Sequence, residues 1–469
     1  MTIKELRQKL LKKEISAVEL TKQYLKKIEK EDKKIKAFIT TTPELALKQA
    51  KKAQERIEKE KESSPLLCGI PCAVKDAILV KDIKCTAGSK ILQNYIAPYN
   101  ASVIKKLKKE GVIFLGKTNL DEFAMGSSTE NSAFFITKNP IDKQRVPGGS
   151  SGGSAAAVRA NFCQFALGSD TGGSIRQPAS FCNIVGLKPS YGAVSRYGLI
   201  AMASSLDQIG PLAKNTQDTE IIFNKIKGKD PKDSTSIKNP FLPKKKFAKL
   251  KIGLPQEYFI KGIDKKVKEE INKAILIFKK AGVEIKKISL PHTEYALSVY
   301  YLIMPSEVSA NMARYDGIKY GMSEKANSLF EIYSKTRGKY LGKEVKRRIV
   351  LGTFALSAGY YDQYYKKAQK ARQLIKNDFT EAFKKVDLIL TPVSPTPPFK
   401  IGEKIDDPLK MYLSDIFTVA PSLAGLPALS LPCQKYENIP VGMQLIAAPF
   451  CENTIFEAAK NFEKLSKES

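Results

Sequence analysis

Two serines in glycine-rich segments impose the tightest constraint on how this 469-residue chain folds. Ser150 and Ser174 lie 24 positions apart, and Lys75 lies 75 positions before the first of them. Glycine-rich loops let several backbone N–H groups converge on one point beside a serine nucleophile, as an oxyanion hole requires. The usual base is a histidine, but the chain contains only His292, which lies far from these motifs. The pattern therefore favours a fold that brings serine and lysine together as the reacting groups.

The arrangement of apolar segments predicts an α/β fold. Residues 1–62 are helical by pattern, and short apolar segments alternate with glycine turns and helix-like segments over 66–215. A strand–helix–strand unit follows at 251–290, and residues 293–385 are mostly helical before strands return at 386–447. Strands on both sides of that helical block predict a single sheet with a helical insertion that covers a site. We expect a single domain over all 469 residues.

Composition limits the class of protein. The chain is 43% hydrophobic, which is enough for a substantial core. No segment approaches the ~20 apolar residues that span a bilayer. The charged N-terminus lacks the apolar region of a signal peptide. The seven cysteines include no Cys-x-x-Cys pair, so we expect neither a metal site nor a disulfide framework. These features predict a cytoplasmic protein with reduced thiols and no membrane association.

The net charge of +30 invites a nucleic-acid interpretation. However, 67 of the 78 basic residues are lysines, and they are scattered along most of the chain. Scattered lysines are typical of solvated helix faces, so direct nucleic-acid binding by this chain alone is the less favoured interpretation. A basic surface would still steer a polyanion towards an assembly that contains the chain.

The chain resembles the amidase signature family in three segments. They are residues 148–157, 170–176 and 184–190. The spacing of Lys75, Ser150 and Ser174 also matches the Lys–Ser–Ser triad of that family. The resemblance implies a mixed central β-sheet with helices on both faces. It also implies that Ser174 is the nucleophile, that Ser150 is a bridging serine with a cis peptide bond, and that Lys75 is the ultimate base.

The chemistry of such a triad sets requirements on each group. Lys75 must be neutral to accept a proton, so its pKa must fall from ~10.4 through burial or nearby positive charge. A serine between the two can relay the proton because a hydroxyl both donates and accepts. The backbone N–H groups of Thr171, Gly172, Gly173 and Ser174 are placed to form the oxyanion hole. Attack on an amide then gives an acyl-enzyme and ammonia, and water releases the acid.

Several neighbouring residues have structural interpretations. We expect Asp170 and Arg176 to brace the loop between them, residues 171–175, through hydrogen bonds. This segment carries Ser174 and is the nucleophile loop. Ser151 and Ser154 are interpreted as turn and capping residues. Asp76 is expected to point away from the adjacent lysine, since pairing with it would raise the lysine pKa.

Within the family, four further segments resemble the glutaminase subunits of the aspartyl/glutamyl-tRNA amidotransferases. They are residues 125–132, 311–317, 352–361 and 412–418. The resemblance implies that Arg348 binds the α-carboxylate of glutamine and Asp415 its α-ammonium, with Tyr300 or Tyr301 nearby. From the residues alone, the Arg347-Arg348 pair is interpreted as a solvated helix face.

The same resemblance implies a heterotrimer in which this chain is the glutaminase and supplies ammonia. A second, amidating partner (B) would use ATP and Mg²⁺ to convert misacylated Glu-tRNA(Gln), and in some sources Asp-tRNA(Asn). A third partner (C) would clamp the two together. No cofactor is expected in this chain, which lacks a P-loop. The alternative interpretation is a stand-alone amidase acting on small amides.

Overall fold

One eleven-stranded sheet organises the protein, whose computed structural model describes residues 1–238, 241–259, 262–434 and 439–468. The strands are β1 Phe38–Thr41, β2 Pro71–Lys75, β3 Ile113–Thr118, β4 Phe165–Asp170, β5 Val185–Lys188, β6 Gln208–Ala213, β7 Lys251–Pro255, β8 Glu284–Ile288, β9 Leu388–Pro392, β10 Ala428–Pro432 and β11 Gly442–Ala447. Their spatial order is β1-β3-β2-β4-β6-β5-β10-β11-β9-β7-β8. The predicted α/β fold with one central sheet is confirmed.

The sheet is mixed. Strand β2 pairs in parallel with β3 and β4, and β7 pairs in parallel with β8 and β9. The pairings from β4 through β6, β5, β10 and β11 to β9 are antiparallel, as is that of β1 with β3. Strand β2 is buried along its whole length, as expected of a parallel strand covered on both faces.

Helices pack on both faces of the sheet. They are α1 Ile3–Leu11, α2 Ala17–Ile35, α3 Pro43–Glu60, α4 Ser102–Lys109, α5 Gly152–Arg159, α6 Arg176–Phe181, α7 Thr216–Ile226, α8 Lys265–Lys280, α9 Ala296–Met312, α10 Leu329–Tyr340, α11 Lys343–Leu356, α12 Lys367–Phe383, α13 Pro408–Tyr412, α14 Val419–Leu423 and α15 Glu452–Glu468. Successive residues of β9 belong to different hydrophobic clusters. Leu388 and Leu390 pack with the cluster that includes α8 and α15, whereas Ile389 packs with α9 and α12. This alternation follows from the two-residue period of a strand.

The helical insertion lies between two strands of the same sheet. Helices α9 to α12 follow β8, and the chain then returns to the sheet as β9, which lies beside β7. The tightest contact within the insertion is between α9 and α11, where Gly352 lies against the backbone at Pro305. Within the described ranges, no helix has the length and apolar character needed to cross a membrane.

The carboxyl ends of two parallel strands define the position of the candidate site. Lys75 is the last residue of β2, and Asp170 is the last residue of the adjacent β4. Because parallel strands end at the same edge of a sheet, the lysine and the glycine-rich loop after β4 lie side by side. The segment before α5 supplies Ser150 to the same edge.

Candidate active site

The structure brings the three predicted triad residues together at this edge. The Lys75 Nζ donates a hydrogen bond to Ser150 Oγ over 2.7 Å, and both side chains are fully buried. Ser174 lies on the loop between β4 and α6 and retains slight exposure, and its carbonyl accepts a hydrogen bond from the Ser151 N–H over 3.1 Å. The peptide bond between Gly149 and Ser150 is cis, as the resemblance implies. In the described residues no hydrogen bond joins the Ser174 hydroxyl to Ser150, so only the lysine half of the relay is formed.

The surroundings of Lys75 favour its neutral form. Burial lowers the pKa of Lys75 to about 7, although the negative charges of Asp121, Asp170 and Asp207 act in the opposite direction. The amine also donates to Ser151 Oγ over 2.8 Å and to the Ser169 carbonyl over 3.3 Å. At neutral pH a substantial fraction of this lysine can therefore accept a proton.

Of the two predictions about neighbouring serines, the one for Ser154 is wrong, and the one for Ser151 holds only for its N-cap position. Ser151 does not cap α5 with its side chain, because its hydroxyl accepts from Lys75 and donates to the Ser169 carbonyl over 3.0 Å. Ser154 lies inside the helix, where its hydroxyl donates to the Leu167 carbonyl over 3.0 Å. Both hydroxyls are fully buried and bond to the neighbouring strand β4, so tertiary contacts override the local capping preference.

The charged residues next to the triad make the contacts that were expected of them. Asp76 points away from the adjacent lysine and forms a buried ion pair with Lys117 at 2.7 Å. Arg176 pairs with Asp170 at 3.1 Å and also donates to Gln444 on β11 over 3.0 Å. The pair therefore connects the nucleophile loop to the centre of the sheet. His292 lies elsewhere, 2.8 Å from a carboxylate of α12.

One of the four N–H groups predicted to form the oxyanion hole already has a hydrogen-bond partner. The Gly173 N–H donates to the Asp170 carboxylate over 2.8 Å, because an aspartate at the start of a turn readily bonds a nearby backbone N–H. No hydrogen bond involves the N–H groups of Thr171, Gly172 or Ser174 in the described part of the chain. These three remain available to a developing oxyanion.

Arg348 is buried and lies among aromatic rings. Its Nε donates to Glu344, one helical turn earlier on α11, over 2.8 Å. Its guanidinium lies 5.6 Å from the ring centre of Tyr301 and 5.7 Å from that of Tyr412. The interpretation of a solvated helix face is therefore wrong for Arg348, which is 3% exposed, and fits only Arg347, whose side chain is 43% exposed.

Asp415 provides a second buried charge near the arginine. Burial raises the pKa of Asp415 to about 7, while a hydrogen bond from Ser127 at 2.5 Å and the charge of Arg348 favour its ionised form. No ion pair joins Asp415 to Arg348 among the residues described. The two charges therefore do not neutralise each other. Glu344 already pairs with Arg348 at Nε, so the rest of the guanidinium and the Asp415 carboxylate are the groups that can interact with opposite charges on a ligand.

The two candidate tyrosines pack against each other and have different neighbours. Tyr300 contacts the loop directly, since a Cβ atom at Gly172 would lie 2.6 Å from its hydroxyl. Tyr301 stacks on Tyr412 with 3.9 Å between ring centres and lies next to Arg348. Tyr300 therefore lies against the nucleophile loop, and Tyr301 lies against Arg348.

Comparison with known proteins identifies the family of this chain. A family model described as Amidase matches residues 19–456. The chain belongs to the amidase family.

Two similar relatives from different organisms carry the same protein name. The glutamyl-tRNA(Gln) amidotransferase A subunit of Carboxydothermus hydrogenoformans is 56% identical over 99% of this chain and 97% of that protein. The corresponding protein of Persephonella marina is 54% identical over 99% and 97%.

Two solved structures show the same fold. The glutamyl-tRNA(Gln) amidotransferase A subunit from Thermotoga maritima matches with a TM-score of 0.81 and 42% identity over 99% of this chain and 94% of that chain. Peptide amidase from Stenotrophomonas maltophilia matches with a TM-score of 0.82 but only 26% identity, over 100% of this chain and 97% of that one.

Five residues of this amidase's site were not predicted from the sequence. They are Ser127, Glu344 and Tyr412 around the charged pair, and Asp121 and Ser151 around the triad. The sequence carried a signal for Glu344, which lies four positions before Arg348 on a segment with helical pattern. Ser127, Tyr412 and Ser151 lie in segments that carry the family resemblance, but no role in the site was assigned to them. Among the described residues, no group of three or more His, Cys, Asp or Glu side chains is arranged to hold a metal ion.

Proposed function

We propose that this chain is the glutaminase subunit of a tRNA-dependent amidotransferase. The observation that carries the proposal is the combination of a Lys75–Ser150 pair with two buried charges that are not paired with each other. Free glutamine carries an α-carboxylate and an α-ammonium, so its recognition needs one fixed cation and one fixed anion. Arg348 and Asp415 supply these charges, with the arginine suited to a bidentate grip on a carboxylate.

The reaction begins with attack by Ser174 Oγ on the side-chain amide carbon of glutamine. The Ser174 proton passes to Ser150, and the Ser150 proton passes to neutral Lys75. The negative charge on the amide oxygen is stabilised by the free backbone N–H groups of Thr171, Gly172 and Ser174. These proton transfers use the short Lys75–Ser150 contact. They also require the Ser174 hydroxyl to turn towards Ser150.

Collapse of the tetrahedral intermediate releases ammonia. The proton held by Lys75 returns through Ser150 to the leaving nitrogen, and the γ-glutamyl group remains as an ester on Ser174. Water then attacks that ester with Lys75 again acting as base, and glutamate leaves. The chain therefore provides ammonia and carries out no amidation itself.

The use of that ammonia is assigned to two partner proteins. The amidating partner (B) would activate and amidate misacylated tRNA with ATP and Mg²⁺, and the third partner (C) would hold the other two proteins together. The identity of 56% to an amidotransferase protein, against 26% to a peptide amidase, supports this assignment over a stand-alone amidase. We also propose a cytoplasmic location, where misacylated tRNA is found.

Purification of the chain from its native host tests the assignment. We expect two further proteins to co-purify with it in equal amounts, and the complex to convert misacylated Glu-tRNA(Gln) with glutamine and ATP. Parallel assays with Asp-tRNA(Asn) determine which tRNA the complex serves. A chain that purifies alone and hydrolyses neutral amides faster than glutamine would support the stand-alone amidase instead.

A further inference from the structure

Two adjacent acidic residues, Asp121 and Glu122, lie between the helical insertion and residues 148–151, the segment with Ser150 that we call the catalytic loop. Both are buried, at 0% and 2% exposure. The next two residues, Phe123 and Ala124, adopt φ angles of 50° and 64°, in the left-handed region that residues with a Cβ atom rarely occupy. Strained backbone of this kind persists only where surrounding contacts hold it, and it often marks a functional position. The two carboxylates that precede this strained segment make contacts on opposite sides of it.

Asp121 supports the loop that carries the bridging serine. Its carboxylate accepts hydrogen bonds from the Thr129 N–H over 2.9 Å and from the Asn131 N–H over 3.1 Å. It also lies against Gly149, where any Cβ atom would overlap a carboxylate oxygen. Gly149 immediately precedes Ser150, so Asp121 packs directly beneath the catalytic loop.

Glu122 contacts the start of helix α11. One carboxylate oxygen accepts from the Gly342 N–H over 2.8 Å, and the other accepts from the Ser89 hydroxyl. Gly342 is the N-cap of α11 and provides no side-chain cap of its own. A Cβ atom at Gly342 would overlap the Glu122 carboxylate, so glycine at this position leaves room for the acid. A carboxylate at a helix N-terminus is stabilised by the unpaired N–H groups and the helix dipole.

Helix α11 presents the predicted glutamine-binding arginine. Arg348 and its partner Glu344 lie within the first two turns after Gly342, and Glu344 also accepts from the Tyr412 hydroxyl over 2.9 Å. Anchoring the first turn of α11 therefore fixes the position of the guanidinium. The residue that provides the anchor is adjacent in sequence to the one that supports the Ser150 loop.

We propose that Glu122 is a positioning residue for Arg348, setting the distance between the carboxylate-binding end of the site and the catalytic loop. The proposal rests on the proposed glutaminase function. In the ranges that the structure describes, no hydrogen bond or ion pair joins Glu122 to Lys75, Ser150 or Ser174. Its loss therefore weakens recognition of glutamine without changing the reactivity of Ser174.

Kinetics of Glu122→Ala in the complex co-purified with its partner proteins test the proposal. We expect KM for glutamine to rise about tenfold, with kcat changed less than about threefold, because the α11 anchor is lost while the triad is intact. Hydrolysis of propionamide, which has no charged group, is expected to change less than about threefold in kcat/KM. Glu122→Gln retains an acceptor for the Gly342 N–H and is expected to raise KM less, by about two- to fivefold.

A matched control and a double variant separate positioning from general stability. Glu331→Ala removes an exposed acid from the first turn of the neighbouring helix α10, and we expect it to leave both substrates unaffected. In an Arg348→Ala background, Glu122→Ala is expected to cause no further loss with glutamine, since both variants act on the same interaction. If Glu122→Ala fails to fold, Gly342→Ala displaces the carboxylate from the other side of the same contact.

Two results would overturn the proposal. One is an equal loss of kcat/KM for glutamine and propionamide in Glu122→Ala. The other is an undiminished effect of Glu122→Ala in the Arg348→Ala background. Failure of the unaltered complex to hydrolyse glutamine would instead contradict the proposed function, and the two failures are therefore distinguishable.

Discussion

At the scale of single residues, catalysis depends on a lysine that is neutral near physiological pH. Burial at the end of β2 lowers the pKa of Lys75 to about 7, and hydrogen bonds to Ser150 and Ser151 orient the amine. Three buried aspartates nearby, at positions 121, 170 and 207, moderate that shift. The lysine is therefore usable as a base without losing its charge altogether.

Substitution of this lysine tests its role as a base. We expect Lys75→Ala and Lys75→Arg both to abolish glutamine hydrolysis while leaving the protein folded. Arginine retains hydrogen-bond donors, but its pKa above ~12 prevents it from accepting the proton. Activity is measured as glutamate release, and folding by circular dichroism. Substantial activity in Lys75→Arg would mean that another group accepts the proton.

The pH dependence of the two substrate classes should differ. Neutral Lys75 is required for both, so kcat/KM for a neutral amide is expected to rise with pH and level off above about 7. Glutamine also requires ionised Asp415, whose pKa is raised to about 7, so its profile is expected to fall more steeply on the acid side. Identical acid limbs for the two substrates would argue against a role of Asp415 in binding the ammonium group.

Truncation of Arg348 or Asp415 is expected to lower kcat/KM for glutamine far more than kcat/KM for neutral amides. Arg348→Ala or Asp415→Ala leaves one substrate charge unpaired in a buried site, a loss of roughly 2–5 kcal/mol, or some 30- to several-thousand-fold in kcat/KM. Slow hydrolysis of propionamide is expected to change little, because it makes no such contact. Equal losses for both substrates would indicate a structural role for these residues.

At the scale of elements, the nucleophile loop is held by a buried ion pair that links β4, α6 and β11. Arg176 and Asp170 are both fully buried, and Arg176 also donates to Ser422 over 2.8 Å. We expect Arg176→Met to lower the free energy of unfolding by about 3–5 kcal/mol, because it leaves Asp170 buried without its partner. The control Lys9→Met breaks an exposed pair and is expected to cost less than ~1 kcal/mol. Denaturant unfolding of both variants provides the comparison, and equal costs would contradict the role given to Arg176.

The elements themselves were largely predictable where local pattern determines them. The predicted strand–helix–strand unit at 251–290 corresponds to β7, α8 and β8. Strand β1 was not predicted, because its four residues owe their conformation to antiparallel pairing with β3, more than seventy positions away. The burial of Arg348 was equally unpredictable from its own helix, since the rings that enclose it come from α9 and α13.

At the scale of the whole molecule, the mixed sheet brings distant motifs to one edge. The triad comes from β2, the segment before α5 and the loop after β4, whereas the charged pair comes from α11 and the segment after α13. The triad residues and their spacing were predicted from the sequence, and the structure places them at one edge of the sheet. The catalytic roles assigned to them, and the partner proteins, stay predictions.

The most direct test of the proposed division of labour is the activity of Ser174→Ala in the assembled complex. We expect glutamine-dependent transamidation of misacylated tRNA to be abolished, because the variant has no nucleophile. Transamidation with added ammonium chloride is expected to remain near the unaltered rate, because this chain supplies ammonia and does not amidate. Loss of both activities in a properly assembled complex, or retention of the glutamine-dependent activity, would contradict this division of labour.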